Sequence, residues 1–235
     1  MNTSIALVTG ANKGIGKEIA RQLAGAGLTV YVGSRDAARG GRAVEEIGGD
    51  ARLLVLDVTD AGSVAEAAGQ VGALDVLVNN AGTSGGGETP DREDLDTVRH
   101  IYETNVFGVV AVTNAFLPAL RRSGRPRIVN ISSGTGSLTW ATGPEFPHQG
   151  TFAAYRSSKA ALNALTVYYA HALAGDGAKV NALAPGLRRT DLNATAAASG
   201  GDPAEAAAGA VRLALLPDDG PSGGFFSWDG TPVPW

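Results

Sequence analysis

The sequence predicts an α/β fold in which a mostly parallel sheet of about seven strands is doubly wound, with helices on both faces. Short apolar runs alternate with longer segments of helical periodicity along the 235 residues. The apolar runs, such as Ile-Ala-Leu-Val at 5–8, have no polar face. Such runs are typical of parallel strands that are covered on both sides. Strand–helix–strand repeats of this kind form right-handed crossovers, which wind the chain along the sheet.

Each predicted strand is a short apolar run whose length suits a buried strand. The predicted strands cover residues 5–9, 29–34, 52–56, 74–79, 127–132, 179–184 and 225–227. Between them, apolar residues recur every three or four positions, as at Ile15, Ile19 and Leu23, which places them on one helical face. The predicted helices cover residues 15–26, 37–47, 61–71, 94–121, 152–173 and 203–216.

Two stretches lack this periodicity and are predicted to be irregular. Residues 134–150 are rich in Gly, Pro and Thr and are predicted to form a loop. Residues 193–202 are rich in Ala, Gly, Ser and Thr and are predicted to be a mobile segment. Since no linker divides the chain, we expect a single domain over residues 1–235.

Composition argues against several classes of protein. A net charge of −4 argues against a nucleic-acid groove, because such a groove needs a basic face. The absence of cysteine excludes disulfides and thiolate zinc sites, and the histidines His100, His148 and His171 have no paired spacing, so no metal site is expected. The first residues lack a signal peptide, and no apolar run is long enough for a membrane span. We therefore expect a cytoplasmic protein that binds neither nucleic acid nor membrane.

The motif Thr-Gly-Ala-Asn-Lys-Gly-Ile-Gly occupies residues 9–16, between the first predicted strand and the first predicted helix. Glycines at Gly10, Gly14 and Gly16 would let the backbone turn tightly and approach a pyrophosphate, whose charge the helix N-terminus favours. A simple turn is the alternative. The position directly after the first strand favours a dinucleotide-binding turn.

Cofactor preference is encoded at the end of the second strand, where the chain reads Gly-Ser-Arg-Asp at 33–36. A carboxylate here would bind the ribose 2′-hydroxyl of NAD, and an arginine would bind the 2′-phosphate of NADP. If Ser34 occupies the acidic position, Arg35 binds the phosphate through its forked guanidinium and NADPH is preferred, with Lys13 as a second positive charge. Alternatively, Asp36 turns inward and selects NAD, or Arg35 and Asp36 are solvated charges.

Polar residues also follow the third and fourth predicted strands. Asp57, followed by Val58, could accept a hydrogen bond from an adenine amino group, or could cap the next helix. The run Asn-Asn-Ala-Gly at 79–82 could brace neighbouring loops and let the backbone touch a cofactor, although alone it is typical of a turn.

Candidate chemistry lies after the fifth strand, at Ser132 and Ser133, and on the following helix. Tyr155 and Lys159 are four positions apart, so they share a helical face. We expect the ammonium to lower the pKa of the phenol toward neutrality, as acid–base exchange between a carbonyl and an alcohol requires. Ser133 could donate a hydrogen bond to the substrate oxygen, and Asn105 could hold a water beside Lys159.

These motifs together resemble the classical short-chain dehydrogenase/reductase family. They are TGANKGIG at 9–16, LDVTD at 56–60, NNAG at 79–82, ETNVFG at 103–108, IVNISS at 128–133, YRSSK at 155–159 and PGLRRT at 185–190. The resemblance spans nearly the whole chain and implies a Rossmann-type fold that binds NADP(H).

The resemblance also implies roles for individual residues. Asn105, Ser133, Tyr155 and Lys159 would form a catalytic tetrad. In it Tyr155 is the general acid in reduction, Ser133 orients the carbonyl and Lys159 also holds the nicotinamide ribose. Ser132 is the alternative serine. The implied cofactor-binding residues are Gly10, Asn12, Lys13, Gly14, Ile15, Gly16, Ser34, Arg35, Asp57, Val58, Asn80, Ala81, Gly82, Tyr155, Lys159, Pro185, Gly186, Leu187 and Thr190.

Within the family, the chain is most similar to the carbonyl-reductase branch, which typically uses NADPH on ketones, aldehydes, quinones or enones. Its separation of 22 positions between Ser133 and Tyr155 is longer than usual, yet far shorter than the insertion of monomeric carbonyl reductases. Trp140, Phe146 and His148 lie in this extension, where they either line a substrate pocket or pack the loop onto the protein. The family implies a homodimer or homotetramer, and the extension leaves that state open.

We therefore expect an NADPH-dependent enzyme that reduces a ketone, aldehyde, quinone or enone to an alcohol, with a small-molecule carbonyl or alcohol as its partner. The alternatives are an NAD-dependent alcohol dehydrogenase and a non-catalytic protein that senses dinucleotides on the same fold.

Overall fold

The computed structural model of the chain describes residues 4–144 and 150–235, and it confirms the predicted α/β class. Seven parallel strands form one sheet in the order β3-β2-β1-β4-β5-β6-β7. The strands are β1 Ile5–Val8, β2 Thr29–Ser34, β3 Ala51–Val55, β4 Val76–Asn79, β5 Arg127–Ile131, β6 Lys179–Ala184 and β7 Phe225–Ser227. This is the Rossmann-type arrangement that the resemblance implied.

Helices cover both faces of the sheet. They are α1 Gly14–Gly25, α2 Ala37–Ile47, α3 Ala61–Gly69, α4 Leu95–Tyr102, α5 Gly108–Arg121, α6 Leu138–Ala141, α7 Ala153–Ala172, α8 Ala194–Ala197 and α9 Pro203–Ala214. Because side chains alternate along a strand, Val8 joins a core with Leu23 of α1, whereas Leu7 joins a second core with Phe116 of α5. Each core is therefore sandwiched between the sheet and one layer of helices. Within the described residues, no helix is long and apolar enough to cross a bilayer.

Strand order reverses beside β1, which pairs with β2 on one side and β4 on the other. The chains leaving β1 and β4 therefore diverge at the carboxyl ends of the strands, where open α/β sheets bind their ligands. Their register places Val8 opposite Val78. Thr9, the first residue after β1, and Asn80, the first residue after β4, consequently lie close together at the same edge.

The predicted continuous helix over 94–121 is wrong at its centre. A single turn of π-helix, Glu103–Phe107, separates α4 from α5. Inside it, the Asn105 side chain accepts a hydrogen bond from the Thr83 N–H at 2.9 Å and donates to the Thr83 carbonyl at 2.9 Å and to the Ser158 hydroxyl at 3.0 Å. Such turns accommodate one extra residue in a helix, and here the extra residue lets Asn105 reach both partners.

The predicted loop over 134–150 contains two short helices, a 3₁₀ turn at Gly134–Gly136 and α6. The Ser137 hydroxyl caps α6 by accepting a hydrogen bond from the Trp140 N–H at 3.1 Å. Trp140 packs against a core cluster that includes Ala182 and Phe225, so it holds the extension onto the protein. Phe146 and His148 lie outside the described residues.

The stretch predicted to be mobile, 193–202, contains helix α8. The Asn193 side chain caps this helix by accepting a hydrogen bond from the Ala196 N–H at 2.8 Å. An asparagine that precedes alanine-rich residues is a typical helix start, and the Gly- and Ser-rich composition of this stretch did not reveal it.

Candidate active site

A crevice of about 410 Å³ lies at the carboxyl ends of the strands, where the strand order reverses. Most of the predicted cofactor residues line it, namely Gly10, Asn12, Lys13, Gly14, Ile15, Gly16, Arg35, Asp57, Val58, Asn80, Ala81, Gly82, Tyr155, Lys159, Pro185 and Thr190. Three others are placed differently. Ser34 is buried beneath the end of β2, Gly186 lies against Trp228, and Leu187 is exposed on the loop after β6.

The glycine turn is shaped by its contact with the segment after β4. Gly10 has a φ of +63°, and a Cβ there would lie 2.9 Å from the Ala81 Cα. A Cβ on Gly16 would clash with the Asn80 amide. That amide donates to the Thr9 carbonyl at 2.8 Å and to the Gly10 carbonyl at 3.2 Å. The predicted bracing of neighbouring loops by the Asn-Asn-Ala-Gly run is thus present.

Thr9 is a supporting residue that the sequence did not single out. Its buried hydroxyl accepts hydrogen bonds from the Asn80 N–H at 3.0 Å and the Ala81 N–H at 2.9 Å. It therefore satisfies two backbone donors at the point where β1 and β4 diverge. The signal for it was its place as the last residue of the first predicted strand, directly before Gly10.

The start of α1 is suited to bind an anion. Its N-cap residue is Lys13, and within the described residues no side chain caps its first turn. The free amides and the helix dipole therefore present positive charge to the crevice. The Lys13 ammonium lies 3.3 Å from the carboxylate of Asp191, a crevice residue that the sequence did not predict.

At the end of β2, the structure separates the roles of Ser34, Arg35 and Asp36. The Asp36 carboxylate caps α2 by accepting a hydrogen bond from the Arg39 N–H at 2.9 Å. The Ser34 hydroxyl donates to the Asp36 carbonyl at 2.8 Å. Arg35 is exposed and lines the crevice. The alternative in which Asp36 turns toward a ribose is disfavoured, because its carboxylate is engaged by α2.

Asp57 and its neighbours form the far end of the crevice. Burial alone would raise the pKa of the Asp57 carboxyl, but hydrogen bonds from the Thr59 hydroxyl and N–H and the charge of Arg35 outweigh it, so that this pKa lies below its usual value. The cap of the next helix is Asp60 rather than Asp57. His100, for which no metal-binding role is expected, lines the crevice from α4.

The opposite end holds the predicted chemical groups. Helix α7 starts at Ala153, so Tyr155 lies in its first turn and Lys159 one turn later. The Lys159 ammonium lies 5.8 Å from the centroid of the Tyr155 ring and donates to the Ile131 carbonyl at 2.9 Å. Both side chains line the crevice, as predicted.

The expected fall in the Tyr155 pKa is not found. Burial raises the pKa of the Tyr155 phenol, and a hydrogen bond from Ser133 only partly opposes this. Burial also lowers the pKa of the Lys159 ammonium to about 8. Helical spacing indicates the attraction between phenolate and ammonium, but it does not reveal the cost of removing both groups from water. At neutral pH the pair is therefore a neutral phenol beside a largely protonated ammonium.

Two adjacent serines have different surroundings. The Ser133 hydroxyl contacts Tyr155 and also the Thr135 hydroxyl, at 2.8 Å. The buried Ser132 hydroxyl donates to the Asn163 side chain at 2.5 Å. Ser133 is consequently the serine beside the phenol, whereas Ser132 helps to attach β5 to α7. That Asn105 holds a water near Lys159 stays a prediction.

Comparisons with known proteins agree with this geometry. A model of the short chain dehydrogenase family matches residues 4–199. Salutaridine reductase of Papaver bracteatum is 35% identical over 295 aligned positions, which cover 94% of this chain and 93% of that protein. (−)-Isopiperitenone reductase of Mentha piperita is 36% identical over 305 positions, which cover 95% and 96%. Both alignments exceed the 235 residues here, so these relatives contain internal residues that this chain lacks.

A solved structure shows the same architecture. The NADPH-bound carbonyl reductase from chicken fatty liver superposes with a TM-score of 0.84 at 30% identity, and the match covers 100% of both chains. The similarity therefore extends over the sheet and both helical layers.

Proposed function

Because the chain belongs to the short chain dehydrogenase family, we propose that it is an NADPH-dependent oxidoreductase that reduces the carbonyl group of a small ketone, aldehyde, quinone or enone to an alcohol. One observation carries the proposal. The Tyr155 phenol, whose pKa is raised by burial, lies at one end of the crevice of about 410 Å³, with Ser133 and Lys159 beside it. A neutral phenol in this position is a proton donor, as reduction requires.

Several groups along the crevice are suited to bind parts of a nicotinamide dinucleotide. The uncapped N-terminus of α1 suits the pyrophosphate, and the glycine turn leaves room for close approach of the backbone. Arg35 and Lys13 suit a 2′-phosphate, since Ser34 replaces a carboxylate and Asp36 is engaged at α2. These observations support NADPH over NADH. The bound cofactor would supply a hydride, and the protein supplies geometry and the proton.

In the proposed reaction, Tyr155 transfers its phenolic proton to the carbonyl oxygen of the substrate. The Ser133 hydroxyl donates a hydrogen bond to the same oxygen and stabilises the negative charge that develops there. The Lys159 ammonium stabilises the phenolate that Tyr155 becomes, because it lies 5.8 Å from the centre of the Tyr155 ring in a poorly solvated site. Its contact with the Ile131 carbonyl holds the ammonium in place.

The proposal is tested by following NADPH consumption over a panel of ketones, aldehydes, quinones and enones, with NADH in parallel. We expect turnover of at least one class with NADPH preferred, and loss of turnover in Tyr155→Phe. Binding of NADPH without turnover of any panel member would instead favour the non-catalytic alternative. A homodimer or homotetramer remains a prediction from the family resemblance.

A further inference from the structure

A buried arginine, Arg188, lies at the base of the loop that follows β6 and lines one side of the crevice. We call residues 187–201 the substrate loop, because Thr190, Asp191 and Leu192 line the crevice from it. Its two ends are joined by hydrogen bonds. The Arg189 N–H donates to the Gly201 carbonyl at 2.8 Å, and the Ser199 hydroxyl donates to the Leu187 carbonyl at 3.1 Å.

Arg188 is 8% exposed, although it belongs to an irregular segment. Its guanidinium carbon lies 4.5 Å from the Trp228 ring centroid, and its Nη2 lies 3.5 Å from a Glu205 carboxylate oxygen. Among residues 4–144 and 150–235, its buried Nε and Nη2 have no hydrogen-bond partner. Burial of an incompletely paired charge is costly, so the arrangement requires a compensating role.

The surface on which Arg188 stacks is itself fixed. The Trp228 N–H donates to the Ala184 carbonyl at the end of β6, at 3.0 Å. The Trp228 carbonyl accepts a hydrogen bond from the Arg212 guanidinium of α9, also at 3.0 Å. Trp228 is thus attached both to the sheet and to a core helix, and it provides a rigid aromatic platform.

Both ends of the substrate loop abut the guanidinium. A Cβ on Gly201 would lie 2.9 Å from the Arg188 Nη1 and would clash with the Leu187 carbonyl. A Cβ on Gly186 would lie 3.5 Å from the same Nη1. Arg188 therefore fills the space where the chain enters and leaves the loop.

The tip of the loop is attached differently. The Leu192 carbonyl accepts a hydrogen bond from the Ser84 hydroxyl at 3.1 Å, and Asp191 forms the exposed ion pair with Lys13. Exposed contacts of this kind are weak and exchange readily with water. The base is thus buried and stacked, whereas the tip is held by replaceable contacts across the crevice.

We propose that Arg188 is a positioning residue that fixes the base of the substrate loop by stacking on Trp228 and pairing with Glu205. It thereby sets the place of Thr190 to Leu192 across the crevice, between the glycine turn and Ser84. This role rests on the proposed function, because it concerns the binding of the carbonyl substrate. The tip can then open for ligands while the base stays in position.

Hydrogen–deuterium exchange of the nucleotide-free full chain tests the anchor without any substrate. In Arg188→Ala we expect faster uptake in the peptide over 187–201 and unchanged uptake in the strands. Arg189→Ala, which removes the neighbouring exposed guanidinium, is the matched control and should leave the loop unchanged. Arg188→Lys keeps the charge but loses the planar stack and should be intermediate.

Kinetics with (−)-isopiperitenone as the probe provide the second readout. Arg188→Ala should raise KM by about tenfold and change kcat by less than about threefold, because a displaced loop weakens binding more than proton transfer. Arg189→Ala should change neither value. If Arg188→Ala does not fold, Glu205→Gln replaces it and should give a smaller effect of the same kind.

The outcomes separate the two proposals. In Arg188→Ala, unchanged exchange in the substrate loop, or faster uptake spread equally over the sheet, would overturn the anchoring role of Arg188. This would hold even if the wild-type chain reduces a carbonyl. Faster exchange confined to the loop in a chain that reduces no carbonyl would support the anchor as a structural device and overturn the proposed function.

Discussion

The Lys159 ammonium lies 5.8 Å from the centre of the Tyr155 ring, one helical turn away in α7. Burial acts on the two groups in opposite directions, since it raises the pKa of the phenol and lowers that of the ammonium. Both shifts favour the neutral forms. At neutral pH the phenol is therefore protonated, and the ammonium, whose pKa is still about 8, stays largely charged and can stabilise the phenolate that proton transfer leaves.

Replacement of Tyr155 by phenylalanine removes the proton donor and little else. We expect kcat to fall by about 10²- to 10⁴-fold, the usual contribution of general acid catalysis. The dissociation constant for NADPH, measured by fluorescence titration, should change by less than about twofold, because the ring that lines the crevice is retained. Turnover close to that of the wild type would remove Tyr155 from the mechanism.

The two serines after β5 should respond differently to alanine. Ser133→Ala should lower kcat by about 10²- to 10³-fold, as the loss of one donor to a developing oxyanion does. Ser132→Ala should instead lower the free energy of unfolding by about 1–3 kcal/mol, because it leaves the buried Asn163 side chain without its donor. Urea unfolding and steady-state kinetics on both variants check this, and the reverse pattern would assign catalysis to Ser132.

Arg35→Ala should weaken the binding of NADPH much more than the binding of NADH. Loss of charged hydrogen bonds to a 2′-phosphate predicts a rise of about 10- to 100-fold in the NADPH dissociation constant. Arg39→Ala is the control, since Arg39 lies one turn along α2 and pairs with Asp36. Equal losses for both cofactors in Arg35→Ala would contradict a 2′-phosphate site at this position.

The pH dependence of reduction should follow the titration of the Lys159 ammonium. Its pKa in the folded chain is lowered from 10.5 to about 8, so the ammonium loses its proton as the pH rises above that value. We expect kcat/KM for reduction to fall there by about tenfold per pH unit. A Lys159→Arg variant that retains activity should shift this fall to higher pH.

The lowered pKa of Lys159 also predicts the direction in which the free energy of unfolding changes with pH. The unfolded chain keeps the Lys159 proton up to about the ordinary value of 10.5, whereas the folded chain releases it near 8. Between these values the unfolded state binds more protons, so this residue makes stability increase with pH. Unfolding curves of the wild type and Lys159→Met should diverge in that window, and parallel curves would argue against a lowered pKa.

Thr9→Val keeps the shape of the side chain but removes its hydroxyl. The backbone donors of Asn80 and Ala81 would then be buried without an acceptor. We expect the free energy of unfolding to fall by about 1–3 kcal/mol, measured by urea denaturation. Thr9→Ser retains the hydroxyl and should recover most of this loss.

The regular elements could be predicted because local sequence marks their limits. Strand β6 has the predicted bounds, since Gly177 precedes it closely and Pro185 follows it. The strand-end positions of Asp57 and Asn80 were predicted for the same reason, because parallel strands bring their carboxyl ends to one edge.

What could not be predicted depends on contacts between distant parts of the chain. In the π turn, the Asn105 side chain forms hydrogen bonds with Thr83 and Ser158, and nothing in the local sequence indicates those partners. The Tyr155 pKa depends on burial, which helical spacing does not reveal. The role inferred for Arg188 rests on Trp228, which follows it by 40 positions.

The π turn at Glu103–Phe107 contains one residue more than an α-helix of the same rotation would need. Deleting a single residue there would restore an unbroken α-helix and leave the residues that follow in nearly the same rotation. Phe116 and Leu120 would then stay buried, whereas Asn105 would lose its place between Thr83 and Ser158. A one-residue deletion in this turn should therefore spare the core and disturb the crevice beside Lys159.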